Sequence, residues 1–188
     1  MAHLRTLVVR SGATEAIGKA VWSAGTVAQK IESICEQEPD LDLIFVHRDA
    51  DGPAPDARIR EIAGAAEKYD KQERVVPVVP VQELESWLLT DESAIRTVVG
   101  NPKGRTPVSV PSVTKIPSTR NAKEVLAAAC ADASGTSGRR LAKVNKSFNR
   151  HRAVLLERLD IDGSINELES WGRLVADIED AVARLSET

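Results

Sequence analysis

Three observations predict an α/β fold in which a small, mostly parallel sheet is flanked by helices and followed by a helical C-terminal half. First, the apolar residues 43–46 fit a strand covered on both faces, and they deliver two aspartates, Asp49 and Asp51, to a turn at Gly52. Second, strand-like and helix-like periodicities alternate up to about residue 99, as in a βαβ arrangement. Third, the text after residue 121 carries helical periodicity alone.

Element by element, residues 4–10 read as a first strand. Residues 26–37 read as a helix, because Val27, Ile31, Ile34 and Cys35 recur on one face. Residues 42–48 form the second strand. Residues 56–69 form a helix with Ile59, Ile62, Ala63 and Ala66 on its inner side, which returns the chain to a third strand at 75–81. Pro77 and Pro80 cannot donate ladder hydrogen bonds, so this strand is expected to be short, irregular or near an edge. A short helix begins after Gln82 and is continued or followed by one over 92–99. Residues 100–119, rich in Pro, Gly, Ser and Thr and basic in all their charges, read as a long loop, either functional or disordered. Asn121 with Glu124, and Ser164 with Glu167, resemble capping boxes that open helices. The last helix carries a stripe of Leu168, Trp171, Val175, Ile178, Val182 and Leu185, and residues 139–159 form a basic amphipathic stretch before it. The expected organisation is one domain over 1–188, with an α/β core at 1–99, a basic loop at 100–120 and a helical part at 121–188.

With 188 residues, 42% of them hydrophobic, the chain is long enough for one core, and no apolar run approaches the roughly 20 residues that cross a bilayer. A soluble, cytoplasmic protein without a membrane partner is expected. Cys35 and Cys130 stand far from any second ligand-spaced Cys or His and read as small buried thiols. The net charge of −3 hides a strong asymmetry. Residues 1–92 hold 10 basic and 17 acidic side chains, residues 93–158 hold 13 and three, and residues 159–188 hold two and eight. A basic block beside acidic groups suits a polyanion partner, though a merely solvated face gives the same composition.

The chemistry-bearing candidates begin with Asp49 and Asp51. Residues i and i+2 share a side in extended backbone, so the two carboxylates can converge on one hard cation. The same text also suits an Asx-type turn with local N–H bonds. Glu83, Glu85 and Asp91 follow the third strand at the same sheet edge, and helical geometry turns Glu83 and Glu85 apart, so one of them faces Asp49; otherwise they stabilise a helix N-terminus. Trp87, Trp22 and Trp171 read as core residues, with base stacking the alternative for Trp87. Arg48 can bind a phosphate or pair with a carboxylate. Arg120, Lys123, Arg139, Arg140, Lys143 and Lys146 are candidate phosphate contacts. No catalytic-triad order, Walker loop or nucleotide-binding glycine fingerprint occurs.

The text of residues 44–52, of 79–89 with Asp91, and of 121–126 resembles an uncharacterised bacterial Toprim-like family, the domain of unknown function 4276, which is similar to OLD-type nuclease Toprim domains. Its most specific part is Glu83-Leu-Glu-Ser-Trp-Leu-Leu89. The resemblance places Asp49 and Asp51 on the Toprim Asp-x-Asp, Glu83 and Glu85 on the acidic pair before Trp87, and Lys123 on the Ala-Lys position. It implies Mg²⁺ (or Mn²⁺) held by Asp49, Asp51 and Glu85, Toprim-like phosphodiester hydrolysis of nucleic acid, and a role in phage defence beside an ATPase partner. Such families open with a strand followed by Glu-Gly, and here Arg10 or Ser11 stands at that place. Either Glu15 substitutes as the catalytic acid or base, with Glu83 the next candidate, or the strand with the real motif is missing, or catalysis is lost. The expected function is therefore a metal-dependent nuclease; the alternative is a non-catalytic nucleic-acid-binding or ATPase-partner subunit with a degenerate site.

Overall fold

The computed structural model describes residues 2–21 and 24–187, so Trp22 lies outside the described residues. Two parallel strands, β1 (Ile44–His47) and β2 (Val75–Val78), pair in register from Ile44 with Val75 to His47 with Val78. Alternate side chains take opposite faces. Ile44, Val46, Val75 and Val79 join a cluster with Val27 and Ile31 of α2 (Val27–Gln37) and Ile62, Ala65 and Ala66 of α3 (Asp56–Lys68), whereas Phe45, Val76 and Val78 belong to a larger second core. Both faces are covered, as a parallel sheet requires. β2 is as short as its prolines demand, since Pro77 offers no N–H to the ladder.

The expected first strand is instead a helix, α1 (Ala2–Arg10), so the sheet has two strands rather than three. Its buried residues Leu4, Leu7 and Val8 follow the i, i+3, i+4 spacing, while Val9 is exposed. The helix packs on α9 (Glu169–Ser186), with His3 tilted against Trp171. Two finer corrections concern faces and thiols. On α3 Ala65 is buried beside Ala66, and Ala63 is exposed; Cys130 is buried, but Cys35 only partly so.

α2 starts at a capping box: the Thr26 hydroxyl accepts from the Gln29 amide, and the Gln29 side chain accepts from the Thr26 amide at 2.9 Å. After the sheet come α4 (Glu85–Leu88) and α5 (Glu92–Val98), the latter capped by Asp91, whose carboxylate accepts from the Ala94 amide at 2.8 Å. The long loop carries a 3₁₀ turn at Val113–Ser118 and is fastened to the core by fully buried Ile116. It is also fastened to α6 (Ala122–Ser134), because the Asn101 amide donates to the carbonyls of Ala133 and Ser134 and the Ser109 amide donates to Asp132. α7 (Gly138–Lys146) and α8 (Phe148–Glu157) divide the basic stretch.

Neither expected capping box in this half forms. Asn121 adopts the left-handed conformation and makes no side-chain cap, and Ser164–Glu167 is a separate 3₁₀ turn before α9 starts at Glu169. The α9 face is buried through Trp171, Leu174, Ile178, Ala181 and Val182, with Val175 and Leu185 at its margin. Trp87 meets Trp171 edge to face at 5.0 Å and donates to the Ser170 hydroxyl, which fixes both as core residues. Among the described residues no helix is long and apolar enough to cross a membrane.

Candidate functional site

Beyond the carboxyl ends of β1 and β2 the two chains stay together, in a ragged continuation of the ladder. The amides of Arg48, Ala50 and Asp51 donate to the carbonyls of Val78, Pro80 and Gln82, and the Gln82 amide donates back to Gly52. This pairing brings the Asp49–Gly52 turn beside the start of α4, at the sheet edge where open α/β folds place ligands. Two residues of the junction, Asp51 and Gln82, have left-handed backbones with φ of 56° and 63°. The left-handed turn at Asp51 breaks the two-residue alternation, and its consequence is visible in the carboxylates.

The Asp49 carboxylate accepts from the Leu84 amide at 2.9 Å and lies 3.3 Å from His47 Nε2. Partial burial pushes its pKa upward, but the His47 hydrogen bond and charge, the Leu84 amide and the Arg152 charge together hold it below the usual carboxylate range. Asp51, with its side chain 65% exposed, turns away to Arg58 Nη2 at 2.8 Å. Arg58 also pairs with Glu61, which in turn meets Arg48. Asp49 and Asp51 are thus held by different cations.

Glu83 and Glu85 go to different partners, Glu83 lying before α4 and Glu85 at its first residue. Glu83 accepts from the Lys123 backbone amide at 2.8 Å and so occupies the N-terminus of α6, serving as the cap that Asn121 does not provide. Glu85 is 3% exposed and its carboxylate lies 2.6 Å from Arg152 Nε on α8. That N–H finds no aligned acceptor, so the contact is one of charge rather than a well-formed hydrogen bond. The ion pair of Arg152 is with Glu85, and its charge adds a little to what holds the Asp49 pKa down. Glu15 is exposed in the segment after α1 and forms no hydrogen bond or ion pair with a described residue.

The arrangement does not fit a single Mg²⁺ or Mn²⁺ shared by Asp49, Asp51 and Glu85. Such an ion needs several oxygens around one point, and these three carboxylates go to three different partners: Asp51 to Arg58, Glu85 to Arg152 and Asp49 to His47. Among the described residues no group of three or more His, Cys, Asp and Glu side chains is disposed to hold a metal.

The basic candidates divide differently. Arg48 is engaged by Glu61, but Arg120, Lys123, Arg139, Arg140, Lys143 and Lys146 are all exposed and in no ion pair with a described residue. α7 buries none of its residues, and Arg139, Lys143 and Lys146 follow one another at i, i+4 and i+7, a stripe about 10 Å long. Sequence reasoning missed Arg152 and Arg58. Both sit in text that reads as ordinary basic helix surface, and their acidic partners Glu85 and Asp51 come from other elements.

A family model described as Domain of unknown function (DUF4276) matches residues 2–179, so the chain belongs to that family. No curated protein and no solved structure matches it.

Proposed function

We propose that this DUF4276 member is a Toprim-like subunit that binds nucleic acid through the exposed basic face of α7, with Arg120 and Lys123 at the head of α6 as further phosphate contacts. One observation carries the reading: at the sheet edge Asp51 is met by Arg58 and Glu85 by Arg152, with His47 beside Asp49, while Arg139, Lys143 and Lys146 form a stripe that is in no ion pair among the described residues. Uncompensated cations spaced along one helix gain counterion-release free energy from a phosphate backbone and from little else on the molecule. This supports the binding-subunit alternative over the nuclease. The hydrolytic reading needs Asp51 to leave Arg58 and Glu85 to leave Arg152 before the acids can meet.

The test is fluorescence anisotropy with labelled DNA and RNA between about 50 and 200 mM salt. Wild type should show sequence-independent binding that weakens steeply with salt. Reversing Arg139, Arg140, Lys143 and Lys146 to glutamate should weaken it and reduce the log–log salt slope by about 1 for each lost phosphate contact. Salt-indifferent binding, or unchanged binding in that variant, refutes the proposal. A parallel nicking assay with Mn²⁺ decides between subunit and nuclease: loss of nicking in Glu15→Gln or Glu83→Gln would restore the catalytic reading.

A further inference from the structure

We infer that the open edge of β1 is the contact surface for a second copy of this chain, joined by antiparallel strand pairing across a two-fold axis at Phe45. The hydrogen-bond parity of the sheet leads there. The amides of Ile44, Arg48 and Ala50 donate to the carbonyls of Arg74, Val78 and Pro80, so the even positions of this segment face β2 and the amides of Phe45 and His47 face the other way. Neither of those two amides has a partner among the described residues. The two edges of the sheet also differ. Pro77 holds an outward position on β2 and has no N–H, which guards that edge against a further strand, and Val75, Val76 and Val78 are buried. β1 contains no proline, and only Ile44 of its four residues is buried. A strand edge with unpaired donors and acceptors is a template for pairing with another chain. The sequence along that edge says which chain. With Phe45 on the axis, Leu43, Phe45 and His47 meet His47, Phe45 and Leu43 of the second copy, and the two Phe45 rings come together on one face. The same register sets Asp42 opposite the second copy's Arg48, twice by symmetry. Asp42 is exposed and in no ion pair with a described residue, and the one ion pair of Arg48 is a 3.5 Å contact with Glu61. A segment acidic at its start and basic at its end complements itself only when the two copies run antiparallel.

Sedimentation velocity of the full chain between about 1 and 100 µM should show a reversible monomer–dimer equilibrium, weak because the paired strand is short. Asp42→Arg sets like charges opposite each other and should weaken the dimer at least about tenfold, and Arg48→Asp should do the same. Mixed in equal amounts, the two variants should form a heterodimer about as tight as the wild-type dimer, since every arginine at these positions then faces an aspartate. Hydrogen exchange should find the Phe45 and His47 amides protected in concentrated wild type and fast in Asp42→Arg, whose circular dichroism should match wild type because Asp42 is a surface group. If Arg48→Asp does not fold, Asp42→Arg and the exchange pattern decide alone. Wild type that stays monomeric at about 100 µM, as it would if the edge takes an unrelated peptide strand, overturns the inference. So does a dimer that Asp42→Arg leaves unchanged, or one in which the Phe45 and His47 amides exchange as freely as in the monomer.

Discussion

Replacing Arg152 with glutamine, Glu85 with glutamine, and both together forms a cycle that measures what the charge contact does for the fold. Glu85 is 3% exposed, and without Arg152 its carboxylate is a buried charge with no partner, a situation that typically costs 3–5 kcal/mol. Because Arg152 is itself 35% exposed, its removal admits some water to Glu85, which points to the lower end, about 3 kcal/mol. In Glu85→Gln the orphaned guanidinium can still be hydrated through its exposed side, so about 1 kcal/mol is expected. The double variant buries no unpaired charge and should cost about 2 kcal/mol, well below the sum, giving a coupling of about 2 kcal/mol. Urea unfolding followed by tryptophan fluorescence in the presence of a chelator suits the protein, since Trp87 of α4 meets Trp171 edge to face in the core. For a chain of this size Arg152→Gln should lower Tm by about 6–12 °C. Additive effects, with coupling below about 0.5 kcal/mol, would mean that the contact at 2.6 Å does no energetic work, and would refute the reasoning.

Two further expectations concern single groups. Burial of His3 against Trp171 lowers its pKa from 6.5 to about 4, so the fold holds it neutral. Its contribution is complete above pH 6.5 and is lost as pH falls towards 4, up to about 3 kcal/mol. The difference in unfolding free energy between wild type and His3→Gln should therefore shrink over that window, and a pH-independent difference would contradict it. Glu83→Ala should destabilise by about 1 kcal/mol through loss of its bond to the Lys123 amide, while Glu83→Gln, which keeps an acceptor, should cost less. Equal stability losses in chemical denaturation would reject the capping role.

What was legible in the chain was whatever local text decides. The α2 helix follows from the apolar face that Val27 and Ile31 begin, and the buried parallel strand from residues 44–47, because each depends on near neighbours or on continuous apolarity. α1 was misread because Leu7, Val8 and Val9 make a compact β-like run; only burial of Leu4, Leu7 and Val8, with Val9 outside, reveals helical period. At the candidate site the local rule failed at one residue. Two-residue alternation put Asp49 and Asp51 on one side, but a left-handed Asp51, uncommon for a residue other than glycine, sends its carboxylate to Arg58. Glu83 and Glu85 do part, but not as two residues of one helix, since Glu83 precedes α4. Their partners, Lys123 and Arg152, were not readable, since only tertiary packing of α6 and α8 on α4 brings them near.

The charge asymmetry takes on a sharper meaning once partners are known. Acidic groups of the first 92 residues meet cations close at hand or from packed elements: Asp51 and Glu61 meet Arg58, Glu38 meets Lys19, Glu92 meets Arg96, and Glu85 meets Arg152. Of the basic block at 93–158, only Arg96 and Arg152 are spent in this way among the described residues, and both lie where a helix faces the core rather than on α7. The block's excess charge therefore stays concentrated on the solvent side of α7 and the segment before α6. Among the described residues, the ion pair that joins these basic helices to the acidic edge is that of Arg152 on α8 with Glu85 on α4, and it holds α8 against the sheet edge rather than adding to the exposed charge of α7.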